Sequence, residues 1–390
     1  MLALLAAFVT GCDRSDHDAA SVASRTMAQA KITRPGEILF RPEARRRALA
    51  SMPPSLRAAW CLVGAETLRA PAPIEMLQDR PYGPDTASEP FAWAVMTATS
   101  AGLAGDADAR RRLAGLLDRW ATAGALTRLE RPTVNAYYAL DRTLLPTLIG
   151  FALLRDTPEF EPAARLRIRA WLAQLDRLRG PERTPAGRGE ISGRNNHHYL
   201  RGSVDMAWGA LAGDEASFRH GVGAYLDALR DMRADGSLPL ETRRRARALW
   251  YQRHALASLV VMAEIAAHQG LDLWGTSIDG KSVHTAVRFL LDAIDDEGKV
   301  AAYAWAEQDS PGQTHPGQDL SFLRPRGHGR HYMAWAEIYV ARFPDRPESR
   351  RLLALLARTD PGFRPMVDDY SGGDTSCFFA RPDLGGLPGM

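Results

Sequence analysis

Two short stretches of this chain hold residues able to move protons and grip a carboxylate. The first is Asn195-Asn196-His197-His198-Tyr199, where a Gly- and Pro-rich segment, 180–193, gives way to a helical pattern. Asn and His cost helix propensity and carry many hydrogen-bonding groups, so two of each at a helix start are unusual. N-capping by Asn195 or Asn196 explains one Asn and leaves the histidines unexplained. The second stretch runs through Arg247, Tyr251 and His254, which on a helix stand at i, i+4 and i+7 and share a face. A cation, a phenol and an imidazole on one stripe suit an acidic sugar. Equally, Trp250 and Tyr251 read as core residues of an ordinary helix. Arg243-Arg244-Arg245 adds charge just upstream, as a solvated face, a nucleic-acid patch or a site for an acidic ligand.

The elements that must position these residues are helical. From about Pro42 onward the apolar spacing predicts helices near 89–104, 108–126, 134–155, 160–179, 196–212, 214–233, 240–269, 281–296 and 327–343. Gly213-Asp214, Asp235-Gly236, Gly270 and Pro344 punctuate them. Gly372-Gly373-Asp374 through Phe379 suggests a short extended piece. Strand-like alternation is scarce and no fixed-length repeat is evident, so residues 36–390 are expected to form one all-α body. Bundle, solenoid and toroid remain open on periodicity alone.

Hydrophobic residues make up 45% and charged residues 24% of the 390-residue chain, which is ordinary for a globular protein with a sizeable core. A net charge of +3 is too small to argue for nucleic-acid binding. The chain has no Gly-rich phosphate loop, no HExxH and no G-x-S-x-G elbow. His315, His328 and His331 read as dispersed histidines, and no metal site is expected. The apolar run 1–9 ends in Val9-Thr10-Gly11-Cys12, similar to a bacterial lipobox without the usual preceding positive residues. Residues 1–12 are therefore expected to be a lipoprotein-type signal. Residues 13–35, rich in Ser, Ala and Asp, are expected to be a flexible tether. Asp13 beside Cys12 resembles an inner-membrane retention signal, which implies a periplasmic, lipid-anchored protein. The two remaining cysteines, Cys61 and Cys377, form one bridge in an oxidising compartment or stay as two buried thiols.

At the two chemical stretches the chain resembles the alginate lyases of polysaccharide lyase family 5. The family's Asn-Asn-His-Ser-Tyr-Trp is matched by Asn195-Asn196-His197-His198-Tyr199-Leu200, and its Asp-Gly-Phe-Leu-Pro-Asn-Glu-Leu by Asp235-Gly236-Ser237-Leu238-Pro239-Leu240-Glu241-Thr242. Its Arg-Ala-Leu-x-Tyr-x-x-Tyr-Ala-Leu is matched by Arg247-Ala248-Leu249-Trp250-Tyr251-Gln252-Arg253-His254-Ala255-Leu256. The similarity covers about 190–265, with weaker echoes near 124–155 and at Gly372-Gly373-Asp374.

The resemblance implies an incomplete α/α toroid of antiparallel helical hairpins and β-elimination across C4–C5 of a polymeric uronate, without a cofactor. Carried over by position, Asn196 and Arg247 would hold the uronate carboxylate, and His197 would serve as base or carboxylate partner. Asn195, His198, Tyr199, Arg244 and Trp250 would line the sugar. The family's catalytic Tyr falls on His254, while its upstream Tyr is retained as Tyr251. Either His254 replaces the phenol, or Tyr251 reaches in from one turn earlier, or the chain binds polymer without cleaving it. Leu200 and Leu240, in place of the family's Trp and Asn, leave polymannuronate and glucuronan both open. The family's lid has its nearest candidate in 78–83. The expected partner is an anionic polysaccharide, with no nucleic acid and a monomeric state.

Overall fold

The structure, a computed structural model, describes residues 10–64, 71–78, 88–183, 191–306, 316–327 and 329–384, with side chains from residue 19. In chain order the helices are α1 (Thr10–Gln29), α2 (Pro42–Ala50), α3 (Pro54–Trp60), α4 (Ser88–Leu103), α5 (Ala107–Thr122), α6 (Val134–Leu154), α7 (Pro162–Leu178) and α8 (Asn196–Ala212). They continue as α9 (Glu215–Asp231), α10 (Pro239–Thr242), α11 (Ala248–His268), α12 (Val283–Asp295), α13 (Gly298–Ala304), α14 (Trp335–Arg342), α15 (Pro347–Thr359) and α16 (Thr375–Phe379). Strand β1 (Met76–Leu77) pairs in parallel with β2 (Arg128–Leu129), and β3 (Val367–Asp368) pairs antiparallel with β4 (Gly373–Asp374).

Two kinds of helix alternate along the chain, and their composition decides their layer. Helices α4, α6, α8, α11 and α14 are buried on nearly every face, and each packs on the next in that order. A helix apolar all round has to sit inside. Helices α5, α7, α9, α12 and α15 are amphipathic and cover them; in α12 the buried stripe is Val283, Ala286, Val287, Leu290 and Leu291. Two concentric layers of paired helices make an α/α toroid. The C-terminal β4 and α16 fold back onto α4, bringing the end of the chain to the first inner helix.

Close helix approach fixes where α8 stands. A Cβ on Gly209 would come within 2.7 Å of the Phe218 backbone nitrogen and 2.8 Å of the Asp214 carbonyl oxygen, so only glycine lets α9 lie so near. Beneath this contact Arg179 ties α6 to α8, bonding Asp141 at 2.5 Å and Asp205 at 2.9 Å. His220 of α9 holds the other Asp205 oxygen at 2.6 Å. Within this cluster Arg179 and both aspartates are paired with opposite charge, which burial at this depth demands.

Several expectations change. Residues 13–35 are not a tether: α1 runs to Gln29, Ala23, Thr26 and Ala30 are buried, and Thr33 bonds Gln269 through both backbone and side chain. The Ala content that suggested flexibility is also good helix-forming content, and Val22, Ala23, Thr26 and Met27 give it a face to bury. The segment 1–9 lies outside the described residues, as do His315, His328 and most of the lid candidate, 79–83. The expected helix 240–269 breaks at Arg243 to Arg247, where Arg245 has φ +51° and a 3₁₀ turn precedes α11. The 327–343 segment is helical only as α14. Gly372 to Phe379 forms a two-residue strand and a short helix rather than an extended piece. Cys61 and Cys377 are bridged, joining the end of α3 to α16 across 316 residues of sequence.

Candidate active site

The start of α8 is built to expose one side chain and bury its neighbours. Asn195 is the N-cap, its side chain accepting from the His197 backbone N–H at 3.0 Å. Tyr199 is buried and donates its hydroxyl to the Arg194 carbonyl at 2.8 Å. His198 turns away, its Nε2 3.2 Å from Asp227. Asn195, His198 and Tyr199, expected to line the sugar, therefore hold the helix start together instead. Asn196 is held from behind by Glu241, which accepts its backbone N–H at 2.6 Å. Its side-chain Nδ2 donates to the Tyr138 hydroxyl at 3.3 Å, and its Oδ1 is buried with no hydrogen-bond partner among the described residues. His197 is only half-buried.

Tyr138, on the first turns of α6, was not singled out by sequence. Its ring stacks on the His197 imidazole with centroids 3.9 Å apart at 18°. Its hydroxyl also hydrogen-bonds that of Tyr370, which lies in the β3–β4 turn. Arg142, one turn along α6, sits over the Tyr370 ring at 4.8 Å and is clamped by Asp369 at 2.8 and 3.2 Å. Tyr370 meets His254 edge-on at 4.5 Å and 89°.

On α11, Tyr251 and His254 do share a face, with rings 5.6 Å apart. Arg247 does not join them. It is exposed and leans over Trp250 at 5.9 Å, because the 3₁₀ turn ahead of α11 replaces the continuous helix on which i, i+4 spacing relied. The guanidinium over Tyr251 is that of Arg244, at 4.2 Å. Trp250 is half-buried against Phe322 and Tyr332. Arg253, fully buried, lies 4.5 Å over Tyr332, and none of its guanidinium nitrogens has a hydrogen-bond partner among the described residues.

The electrostatics follow from burial beside so many cations. Burial first, then Arg201, Arg244 and Arg142, lowers the His197 pKa to about 3. Burial, Arg253 and Arg142 push His254 well below the ordinary imidazole value. Both His254 nitrogens are sealed and without a partner among the described residues. Both rings are thus neutral at working pH. Burial holds the Tyr138 phenol well above its ordinary value, so it is protonated. Burial also raises Glu241 to about 7 despite Arg244 and the Asn196 N–H. Asp369 is held below the usual carboxylate range: Arg142 and Arg330 outweigh the opposing effect of its burial. Asp368 is pushed up by burial and by Asp369 itself.

The arrangement offers a neutral imidazole, a protonated phenol, a carboxamide and guanidiniums on one toroidal scaffold. The alginate lyase family profile matches residues 86–300, which covers every one of these groups except Tyr370 and its neighbours. The chain belongs to the alginate lyase family. Among its relatives, a polysaccharide lyase of Stenotrophomonas maltophilia (strain K279a) is 30% identical over 247 residues, 62% of this chain and 65% of that protein. An alginate lyase of Azotobacter vinelandii is 29% identical over 166 residues, 41% of this chain and 42% of that one. The matched region thus spans less than two thirds of these curated relatives. The solved alginate lyase A1-III from Sphingomonas species A1 superposes with a TM-score of 0.71 at 26% identity, covering 91% of this chain and 98% of that one. A variant of alginate lyase A1-III complexed with a tetrasaccharide superposes at 0.74 with 26% identity and the same coverage.

Within this alginate lyase family member, the groups missed by sequence reading are Tyr138, Arg142, Tyr370, Asp369 and Arg253. Only weak signals preceded them: Tyr138 and Arg142 fall in the fainter echo at 124–155, and Tyr370 lies just before Gly372-Gly373-Asp374.

Proposed function

We propose that this protein cleaves a uronate polymer, alginate, polymannuronate or a related polyuronate such as glucuronan, by β-elimination. The observation that carries the reading is the meeting of Asn196, His197 and Tyr138 beneath guanidiniums on this family's fold. The C5 proton of a uronate is weakly acidic, and its removal spreads negative charge onto the carboxylate. Donors waiting where that charge grows lower the barrier. Arg244 and the Asn196 side chain supply them, with Arg142 behind. His197, neutral with Nδ1 buried, presents Nε2 as the base that takes the C5 proton. His254 is a poor candidate for the acid, since its nitrogens are sealed and burial keeps its ring from the imidazolium form. Arg247, exposed with Arg243 and Arg245, serves the approach of the polymer rather than the reacting sugar.

The test is incubation with alginate, polymannuronate and glucuronan while following absorbance of the unsaturated product. Product from at least one polymer is expected. Silence on all three, with Arg244→Ala also indifferent in polymer binding, sinks the reading.

We also propose export with lipid attachment through Cys12, to the periplasmic face of the inner membrane. The lipobox-like 9–12 and Asp13 support it, as does a Cys61–Cys377 bridge, since such bridges persist in oxidising compartments. Mass spectrometry of the membrane fraction tests it; a soluble protein with an unmodified Cys12 contradicts it.

A further inference from the structure

By the resemblance, the position of the family's catalytic phenol is taken here by His254, which leaves the departing oxygen without an obvious acid. The structure supplies phenols from elsewhere. The Tyr251 hydroxyl makes no hydrogen bond among the described residues, and its ring lies under the Arg244 guanidinium. The Tyr138 hydroxyl is in a different position. It receives the Asn196 Nδ2 at 3.3 Å, shares a hydrogen bond with the Tyr370 hydroxyl, and its ring is stacked on the His197 base. Asn196 donates to its oxygen, and when the Tyr370 hydroxyl, which can take either role, donates as well, the Tyr138 proton is free to be given. Arg142, fixed by Asp369 and lying 4.8 Å over Tyr370 and 5.9 Å over Tyr138, offsets the charge a departing proton leaves behind.

We propose that Tyr138 is the catalytic acid of this lyase and that Tyr370, reaching in from the C-terminal turn, is its positioning residue. The inference rests on the lyase reading and deepens it. In the step, His197 Nε2 takes the C5 proton and the C5–H electron pair forms the C4=C5 double bond. The C4–O bond breaks with its pair on oxygen, and that oxygen takes the Tyr138 proton. The reset returns the proton from the His197 imidazolium to the Tyr138 phenolate by way of solvent, since the stacked rings share no direct hydrogen bond. The proton lost from C5 is thus matched by the one gained at the leaving oxygen, with no outside donor. Burial holds the Tyr138 phenol protonated, which suits an acid and not a base. His254 becomes an aromatic spacer that sets Tyr370 edge-on.

The experiment compares two leaving groups on wild type, Tyr138→Phe and Tyr370→Phe: a polyuronate, whose alkoxide must be protonated, and a uronate bearing 4-nitrophenoxide at C4, which departs without a proton. Tyr138→Phe should lower kcat on the polymer roughly 100-fold or more, the usual size of a general-acid contribution, while the aryl ether still reacts within about threefold of wild type. Tyr370→Phe should show the same discrimination at about tenfold, and it carries the test if Tyr138→Phe does not fold. A merely structural role would slow both substrates alike. If wild type cleaves polymer and Tyr138→Phe keeps more than about a tenth of kcat, or loses both substrates equally, the assignment is overturned and the lyase reading stands. If wild type is silent on polymer and aryl ether alike, both fall.

Discussion

The Tyr138 ring lies flat on the His197 imidazole, centroids 3.9 Å apart, and this contact joins the inner helices α6 and α8 where the chemistry is placed. It brings a protonated phenol and a neutral imidazole together where burial first, and the surrounding guanidiniums second, keep the imidazole from charging. The pair can therefore take one proton and give another without any change of charge in the resting site.

A neutral His197 predicts an unusual pH profile. With its pKa lowered to about 3, kcat/KM should run flat through pH 6.5, where an ordinary histidine base would impose an acid limb. Initial rates from pH 5 to 9 at constant ionic strength check this. An acid limb centred near 6.5 would show that His197 titrates freely.

Arg244 and Arg247 should separate. Arg244, over Tyr251, is expected to raise KM about tenfold or more when changed to Ala, the scale of one lost charge-assisted contact. Arg247→Ala should change KM less than about threefold and reduce mainly the salt sensitivity of binding. Polymer binding measured at low and high salt decides between them, and the reverse ranking contradicts the placement.

Glu241 gives a stability prediction with a definite sign. Its carboxyl is raised to about 7 in the fold, against an unfolded value near 4.5. The unfolded chain therefore loses this proton first, and the stability the group contributes, full below 4.5, is lost as pH rises through 7. Glu241→Gln keeps an acceptor for the Asn196 N–H and should flatten the slope of denaturation midpoint between pH 4.5 and 7. An unchanged slope would place the titration elsewhere.

The bridge between Cys61 and Cys377 closes a loop of 316 residues of separation. Constraining so long a loop is worth about 5–6 kcal/mol in the chain-entropy account. Thermal unfolding with and without reductant should show a clear fall in Tm on reduction, absent in the double variant Cys61→Ser/Cys377→Ser.

What the sequence revealed and what it hid divide along contact distance. Asn196 and His197 were legible because they sit side by side at a helix start, where their residue types conflict with local propensity. The helices were legible too, since apolar residues recur at helical spacing in α5, α6, α7 and α12, whereas their division into two layers was not, because α8 is buried all round while carrying Asn196, His198, Arg201 and Asp205. Tyr370 was not, because its partners Tyr138 and Arg142 are 232 and 228 positions away and meet it only when the C-terminal segment folds back on α4 and α6. Arg247 was misplaced because helical spacing was extended back to it, whereas it closes the 3₁₀ turn and caps α11 with φ −103°, before the regular turns begin. The segment 13–35 was misread because Ala, Ser and Asp serve a linker and a capped surface helix alike.

A uronate lyase centred on Asn196 and His197 is checked by one pair of assays on wild type and His197→Ala: formation of unsaturated product from polymannuronate and glucuronan, and binding of the same polymers. Wild type should form product from at least one polymer, and His197→Ala should lose roughly 100-fold or more of that rate with binding retained. Product formed by His197→Ala at the wild-type rate, or none from wild type on either polymer, would contradict it.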